Sequence, residues 1–167
     1  MPTTNLVSVR EYLSTSYEPD CDYVDGVVLE RNLGERDHGE LQRALIVYFH
    51  TRRKEWGVQV FPEQRVQVSP TRFRVPDICV VTGPTPAEQI FTSPPFICIE
   101  ILSPKDRLQP MQLRVRDYLE MGVPYVWILD PATHEAYRCT FDGLQRVTEL
   151  RTENPLVVVP LNALFED

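Results

Sequence analysis

With 167 residues, 43% of them hydrophobic and 25% charged, the chain has the make-up of a soluble globular protein forming one domain around one core. No apolar run approaches the roughly 20 residues of a membrane span, which excludes a membrane-crossing helix. A formal charge of −7 argues against a protein that coats nucleic acid by bulk attraction, because that affinity comes from Lys and Arg on phosphates.

The opening "MPTTNLVSVREYLS" lacks a basic segment followed by an apolar stretch, so no secretory signal is expected and the chain is placed in the cytoplasm. Within it, "SVREYLST" reads as a short helix capped by Ser8, and "DYVDGVVLE" as a hairpin turning at Asp25-Gly26. From Glu35 to Trp56, Leu41, Ala44, Leu45, Tyr48 and Phe49 recur at helical spacing. One long helix is expected there, capped by Asp37 and stopped by Gly57, with the cations Arg52, Arg53 and Lys54 at its dipole-favoured end. DNA contact is a second use for those cations.

"VQVFPEQRVQVSP" and "FRVPDICVV" alternate or are β-branched and read as consecutive strands. The proline-rich "TGPTPAEQIFTSPP" reads as a loop, and "FICIEIL" as a central strand covered on both faces. Gln109 to Met121 look helical, with Met111, Val115, Tyr118 and Leu119 on one side and Gly122 as the stop. "YVWILD" follows as a buried strand, and "EAYRCTF", "LQRVTEL" and "LVVVPL" are strand-like. This order predicts an α/β fold with a mixed central β-sheet and helices packed on it.

The four cysteines, Cys21, Cys79, Cys98 and Cys139, have no zinc-ligand spacing and read as reduced core thiols. Trp56 and Trp127 sit beside apolar runs and read as core; His50 and His134 read as surface residues.

Two residues break the pattern. Asp77 opens one apolar run and Glu100 interrupts another, although carboxylates are almost never fully buried unless paired or bound to a cation. Side by side on neighbouring strands they would make a hard, oxygen-rich site suited to Mg²⁺ or Mn²⁺, with the main-chain carbonyl of Ile101 as a further ligand. Phosphodiester hydrolysis is the natural chemistry of such a site. The other reading is a pair of structural acids held by arginines.

The ordered set "YVDG", His38, "VPDICVV", "ICIEILSP", "RVRDYLEMGVPYVWILDP" and a late apolar tail resembles the bacterial Uma-two family of endonucleases, a branch of the PD-(D/E)xK nuclease superfamily. The likeness runs from about Tyr23 to Phe165. It implies a restriction-endonuclease-like core, DNA as substrate, and Mg²⁺ or Mn²⁺ held by Asp77, in the PD element, and by Glu100. The lysine of that motif is replaced by Leu102. In this family a basic residue commonly stands on the following helix, four residues before a tyrosine, and here that position is Arg114. The resemblance also matches His38, as a contact to the phosphate or the metal. Glu40 and Gln64 are weaker candidates for an outer acid and a polar lining. An isologous homodimer suits cleavage of both strands of a duplex. The rival expectation is a degenerate nuclease fold serving as a nucleic-acid-binding or assembly module, which Leu102 favours.

Overall fold

The structure, a computed structural model, describes residues 5–32 and 34–165. Ser8 caps the first helix, α1 (Val9–Ser14), by accepting the Glu11 amide at 3.1 Å. The hairpin follows as β1 (Asp22–Val24) and β2 (Val27–Leu29), with Asp25 and Gly26 at φ values of 48° and 97°, as the tight two-residue turn requires.

The long helical run divides. α2 (Arg36–Thr51) and α3 (Arg53–Trp56) meet at Arg52, whose φ of −105° and ψ of 4° leave the helical region. Arg52 lies over the Tyr48 ring, 3.6 Å from its centroid, and donates to the Tyr48 carbonyl. The arginine thus bonds a terminal carbonyl that the helix leaves unpaired. Asp37 is not the cap: the N-cap is Glu35, which makes no side-chain bond, and Asp37 pairs with Arg36 in the first turn. Gly57, at φ 65° and ψ 40°, ends α3 in the left-handed region.

The next strands are β3 (Val58–Pro62), β4 (Val66–Ser69), β5 (Arg72–Arg74), β6 (Ile78–Thr82) and β7 (Ile97–Ile101). Then come α4 (Leu108–Met121), β8 (Tyr125–Asp130), β9 (Glu135–Thr140), β10 (Gly143–Val147), β11 (Glu149–Thr152) and β12 (Val157–Pro160), with a 3-10 turn at Leu161–Ala163. They do not form one sheet. The central sheet runs β10-β9-β8-β7-β6-β3, a smaller one runs β2-β1-β5-β4, and β11-β12 form a ribbon. In the central sheet β7 and β8 are parallel and the other neighbours antiparallel, which makes the sheet mixed. The parallel pair needs a crossover, and α4 supplies it.

Strand alternation sorts the core. Ile97, Ile99 and Ile101 join Leu41, Leu45 and Phe49 of α2 in one apolar cluster. Cys98 joins Met111, Val115 and Tyr118 of α4 in another. Glu100 shares the parity of Cys98, so it is turned toward α4. Trp127 is buried, Trp56 packs on Phe49, and all four cysteines are free and buried. His50 and His134 are exposed. Among the described residues no helix is long and apolar enough to cross a membrane.

Candidate active site

Asp77 stands one residue before β6. Ile78 faces Ile99 across the β6–β7 ladder, so one step further the antiparallel register brings Asp77 beside Glu100. Both are buried, at 5% and 1% exposure. Asp77 Oδ2 accepts the Ile101 amide at 2.8 Å, and Oδ1 takes Arg31 Nη2 at 3.0 Å and His38 Nε2 at 3.3 Å. Glu100 Oε1 accepts the Tyr118 hydroxyl at 2.6 Å, and Oε2 takes Arg114 Nη1 at 3.2 Å. The crossover helix explains the last two contacts: residues four apart share a helix face, and Arg114 and Tyr118 of α4 look onto the strand that α4 crosses. His38 reaches Asp77 from the first turn of α2, and Gln42, one turn on, donates to the Asp77 carbonyl at 3.0 Å.

The two acids differ in proton affinity. Burial raises the Glu100 carboxyl to about 8, and the Asp77 charge adds to this against the opposing pull of Arg114, Tyr118 and Arg31. Burial acts in the same direction on Asp77 but is outweighed by His38, Arg31 and the Ile101 amide, which together hold its carboxyl below the ordinary value. His38 is raised by its bond to Asp77. One ionised acid next to one that keeps its proton near neutrality is a recurring arrangement of active sites.

This split predicts how stability depends on pH in the presence of chelator. Between 4.5 and about 8 folded Glu100 binds more proton than the unfolded chain, so stability falls as pH rises through that window. His38, raised above 6.5, adds stability at low pH that is likewise lost on the way up. Asp77, lowered below 3.8, loses its contribution only in stronger acid. The melting temperature should fall from pH 5.5 to pH 8.5, with Glu100 contributing on the order of a few kcal/mol, and Glu100→Gln should remove most of the fall. A profile that Glu100→Gln leaves unchanged would refute this.

The donor set suits a small hard cation. Both acids are oxygen donors from neighbouring strands, and Glu100 Oε1, Glu100 Oε2 and Asp77 Oδ2 each have one protein partner of the about two a carboxylate oxygen accepts. No group of three or more His, Cys, Asp or Glu side chains that could hold a metal occurs among the described residues. Water and phosphate oxygens would have to complete the shell, which is the habit of Mg²⁺ at sites with one or two carboxylates. Beside the pair, His38, Leu102, Ser103, Asp106, Asp130 and Glu35 line a cavity of about 340 Å³.

Two candidates lie elsewhere. Glu40 is exposed on α2. Gln64 belongs to the loop between β3 and β4 and donates to the Arg65 and Gln89 carbonyls. In its place Glu63 approaches the site, 3.9 Å from Arg31 Nη1. Sequence reasoning missed Arg31 and a buried ladder behind Arg114. There Asp22 Oδ2 lies 3.3 Å from Arg114 Nε and 3.1 Å from Arg74 Nη1, Arg74 Nε donates to Asp117 at 2.7 Å, and Arg72 joins Asp117 to Asp25. The available signal was the charge of short strands: "DYV" and "RFR" place charged residues where a core strand would carry apolar ones.

Comparison with known proteins is consistent with this geometry. A family model named Uma2, described as "Putative restriction endonuclease", matches residues 9–166. Among curated proteins nothing matches. A crystal structure from Anabaena variabilis ATCC 29413, described as "a putative nuclease belonging to DUF820", superposes with a TM-score of 0.80 at 20% identity, covering 95% of this chain and 97% of that one. That likeness shows a shared fold, an α/β core with a mixed central sheet flanked by helices. With the family model spanning nearly all of the sequence, the chain belongs to the Uma2 family.

Proposed function

We propose that the chain is a Mg²⁺- or Mn²⁺-dependent endonuclease that hydrolyses phosphodiester bonds in DNA, built as one nuclease-like domain and working in the cytoplasm. The observation that carries the reading is the pair of buried carboxylates in register on neighbouring strands, each with a cationic side chain, beside a cavity that His38 lines. Asp77 and Glu100 would hold the cation, with the Ile101 carbonyl as a further oxygen. When bound, it supplies Lewis-acid polarisation of a phosphate oxygen and acidification of water. The chain's own groups do the rest. Asp77 stays ionised and, with the Ile101 amide and Arg31, keeps a fixed orientation. His38 bonds Asp77 through Nε2 and borders the cavity, where its ring can hold a proton near the phosphate. Arg114 offers fixed positive charge to the phosphorane but cannot move a proton near neutral pH. An isologous dimer would let two such sites address both strands.

The test is purified protein incubated with plasmid and with single-stranded DNA in Mg²⁺, Mn²⁺ or chelator. Nicking or linearisation that chelator abolishes is expected, and intact DNA at millimolar metal would overturn the proposal. One observation favours a second reading, a degenerate module that binds nucleic acid without cutting it. Arg31 and Arg114 already sit on the two acids and offset their charge, while Leu102 packs against the α4 cluster in place of a lysine. That module would retain DNA in a mobility-shift assay and leave it uncut.

Arg114 separates the roles further. If it neutralises developing phosphate charge, Arg114→Ala lowers turnover by about 10²-fold or more, Arg114→Lys recovers part of it, and Mn²⁺ affinity is not reduced. A fully active Arg114→Ala protein would remove Arg114 from the mechanism.

A further inference from the structure

The arrangement around Arg114 is not closed. Among the described residues, Arg114 Nε is the buried side-chain polar atom without a hydrogen-bond partner. It lies 3.3 Å from Asp22 Oδ2, within ion-pair range but without the geometry of a bond, while Nη1 of the same guanidinium holds Glu100 Oε2 at 3.2 Å. One cation is therefore shared between two buried carboxylates and satisfies only one of them well. Asp22, at 1% exposure, is itself fixed: Oδ1 accepts the Val75 amide at 3.1 Å and Oδ2 accepts Arg74 Nη1 at 3.1 Å. The arginine, on a long side chain from α4, is the member that can move.

The geometry points to Asp22 as a second seat for Arg114, a positioning residue that takes the guanidinium when Glu100 takes up a divalent cation. The inference rests on the metal reading of Asp77 and Glu100. With a divalent cation held by Glu100, the Arg114 guanidinium would lose part of its attraction to that carboxylate, because like charges repel. A small swing toward Asp22 gives Nε its missing bond and keeps the guanidinium paired and close to the site. Without Asp22 the displaced arginine would be buried with no partner, and metal entry would be opposed by that uncompensated charge. The groups whose charge acts on the guanidinium are Glu100 of β7, Asp22 of β1, Tyr118 of α4 and Asp77 before β6, and of the three acids Asp22 and Glu100 lie within ion-pair range of it.

The first measurement uses the unaltered protein. The Nε–H signal of Arg114, identified by its loss in Arg114→Ala, should shift downfield and exchange more slowly with water when Mg²⁺ saturates the site. An unchanged signal in protein that binds Mg²⁺ overturns the inference. The second is a double-mutant cycle read by Mn²⁺ calorimetry. Asp22→Asn should weaken Mn²⁺ binding about tenfold where Arg114 is present and have little effect in Arg114→Ala. Equal losses in both backgrounds, or none in either, would overturn it. Asp117→Asn is the control, since it breaks the neighbouring pair with Arg74 and should lower the melting temperature without changing Mn²⁺ affinity. If Asp117→Asn weakens Mn²⁺ as much as Asp22→Asn does, Asp22 is only structural and the inference fails. Wild-type protein that binds no Mn²⁺ overturns the metal reading itself, and the second seat with it.

Discussion

Glu100→Gln should yield a protein that is more stable than the wild type in chelator at pH 8.5 and yet has lost metal-dependent cleavage by about 10²-fold or more. Both outcomes have one cause. Glu100 is fully buried, opposed by Asp77, and has its proton affinity raised to about 8; above that pH the folded state must keep a charge that burial disfavours. Glutamine has nearly the same shape, and with its carbonyl oxygen accepting from Arg114 and its NH2 donating to the Tyr118 hydroxyl oxygen it keeps both neighbours, so the cost of the charge goes while the packing stays. The charge is also what would draw a divalent cation, and the neutral amide oxygen is a poorer ligand for a hard ion. Asp77→Asn should lose cleavage to a similar extent but without the gain in stability, because Asp77 is already stabilised as an anion by His38, Arg31 and the Ile101 amide. Calorimetric Mn²⁺ titration, melting curves and plasmid cleavage on the three proteins supply the check. Unchanged Mn²⁺ affinity in both variants would defeat the metal assignment, and equal melting shifts would defeat the account of why the two acids differ.

The position of the acids was legible in the sequence because each stands in an apolar run, where a charge contradicts its surroundings. Strand periodicity then carried most of the central sheet: "FICIEIL" and "YVWILD" form the parallel pair, and the amphipathic segment between them forms the crossover helix. Which strands pair was less accessible. Periodicity reports which way side chains face but not which neighbour completes the ladder, so the consecutive strands after Gly57 read as one set although β4 and β5 leave for the smaller sheet. The break at Arg52 was hidden for a related reason. Neither glycine nor proline marks it, and the residue closes the helix through its own bond to the Tyr48 carbonyl. Arg31 was invisible because its partner Asp77 lies 46 positions away and the loop that carries it has no periodic signature. The same holds for Asp22 and Arg74, whose bond spans 52 positions. A buried carboxylate announces that it needs a partner, and the sequence around it does not say which cation arrives.

Arg74→Met should be the most damaging single change outside the proposed site, at about 3–5 kcal/mol, because it removes one side of a buried ion pair and leaves the other uncompensated. Arg74 is 4% exposed and bridges Asp22 and Asp117, themselves 1% and 4% exposed. Its loss leaves Asp117 with Arg72 alone, and Asp22 with the Val75 amide and the poorly aligned Arg114. Since about 1 kcal/mol moves the midpoint of a protein this size by roughly 2–4 °C, the melting temperature should drop by about 10 °C. The ladder joins β1 and β5 of the smaller sheet to α4, so the damage should be greatest there, with amide exchange of β1 and β5 accelerating before that of β7 and β8. The penalty is for an unpaired charge and not for a missing attraction, so removing the charge it strands should restore stability. Arg74→Met combined with Asp117→Leu is expected to melt higher than Arg74→Met alone, because Arg72 keeps Asp25 and is partly solvated. A double variant that melts lower than Arg74→Met would mean the pair contributes net attraction, reversing the order in which desolvation and pairing rank at this interface.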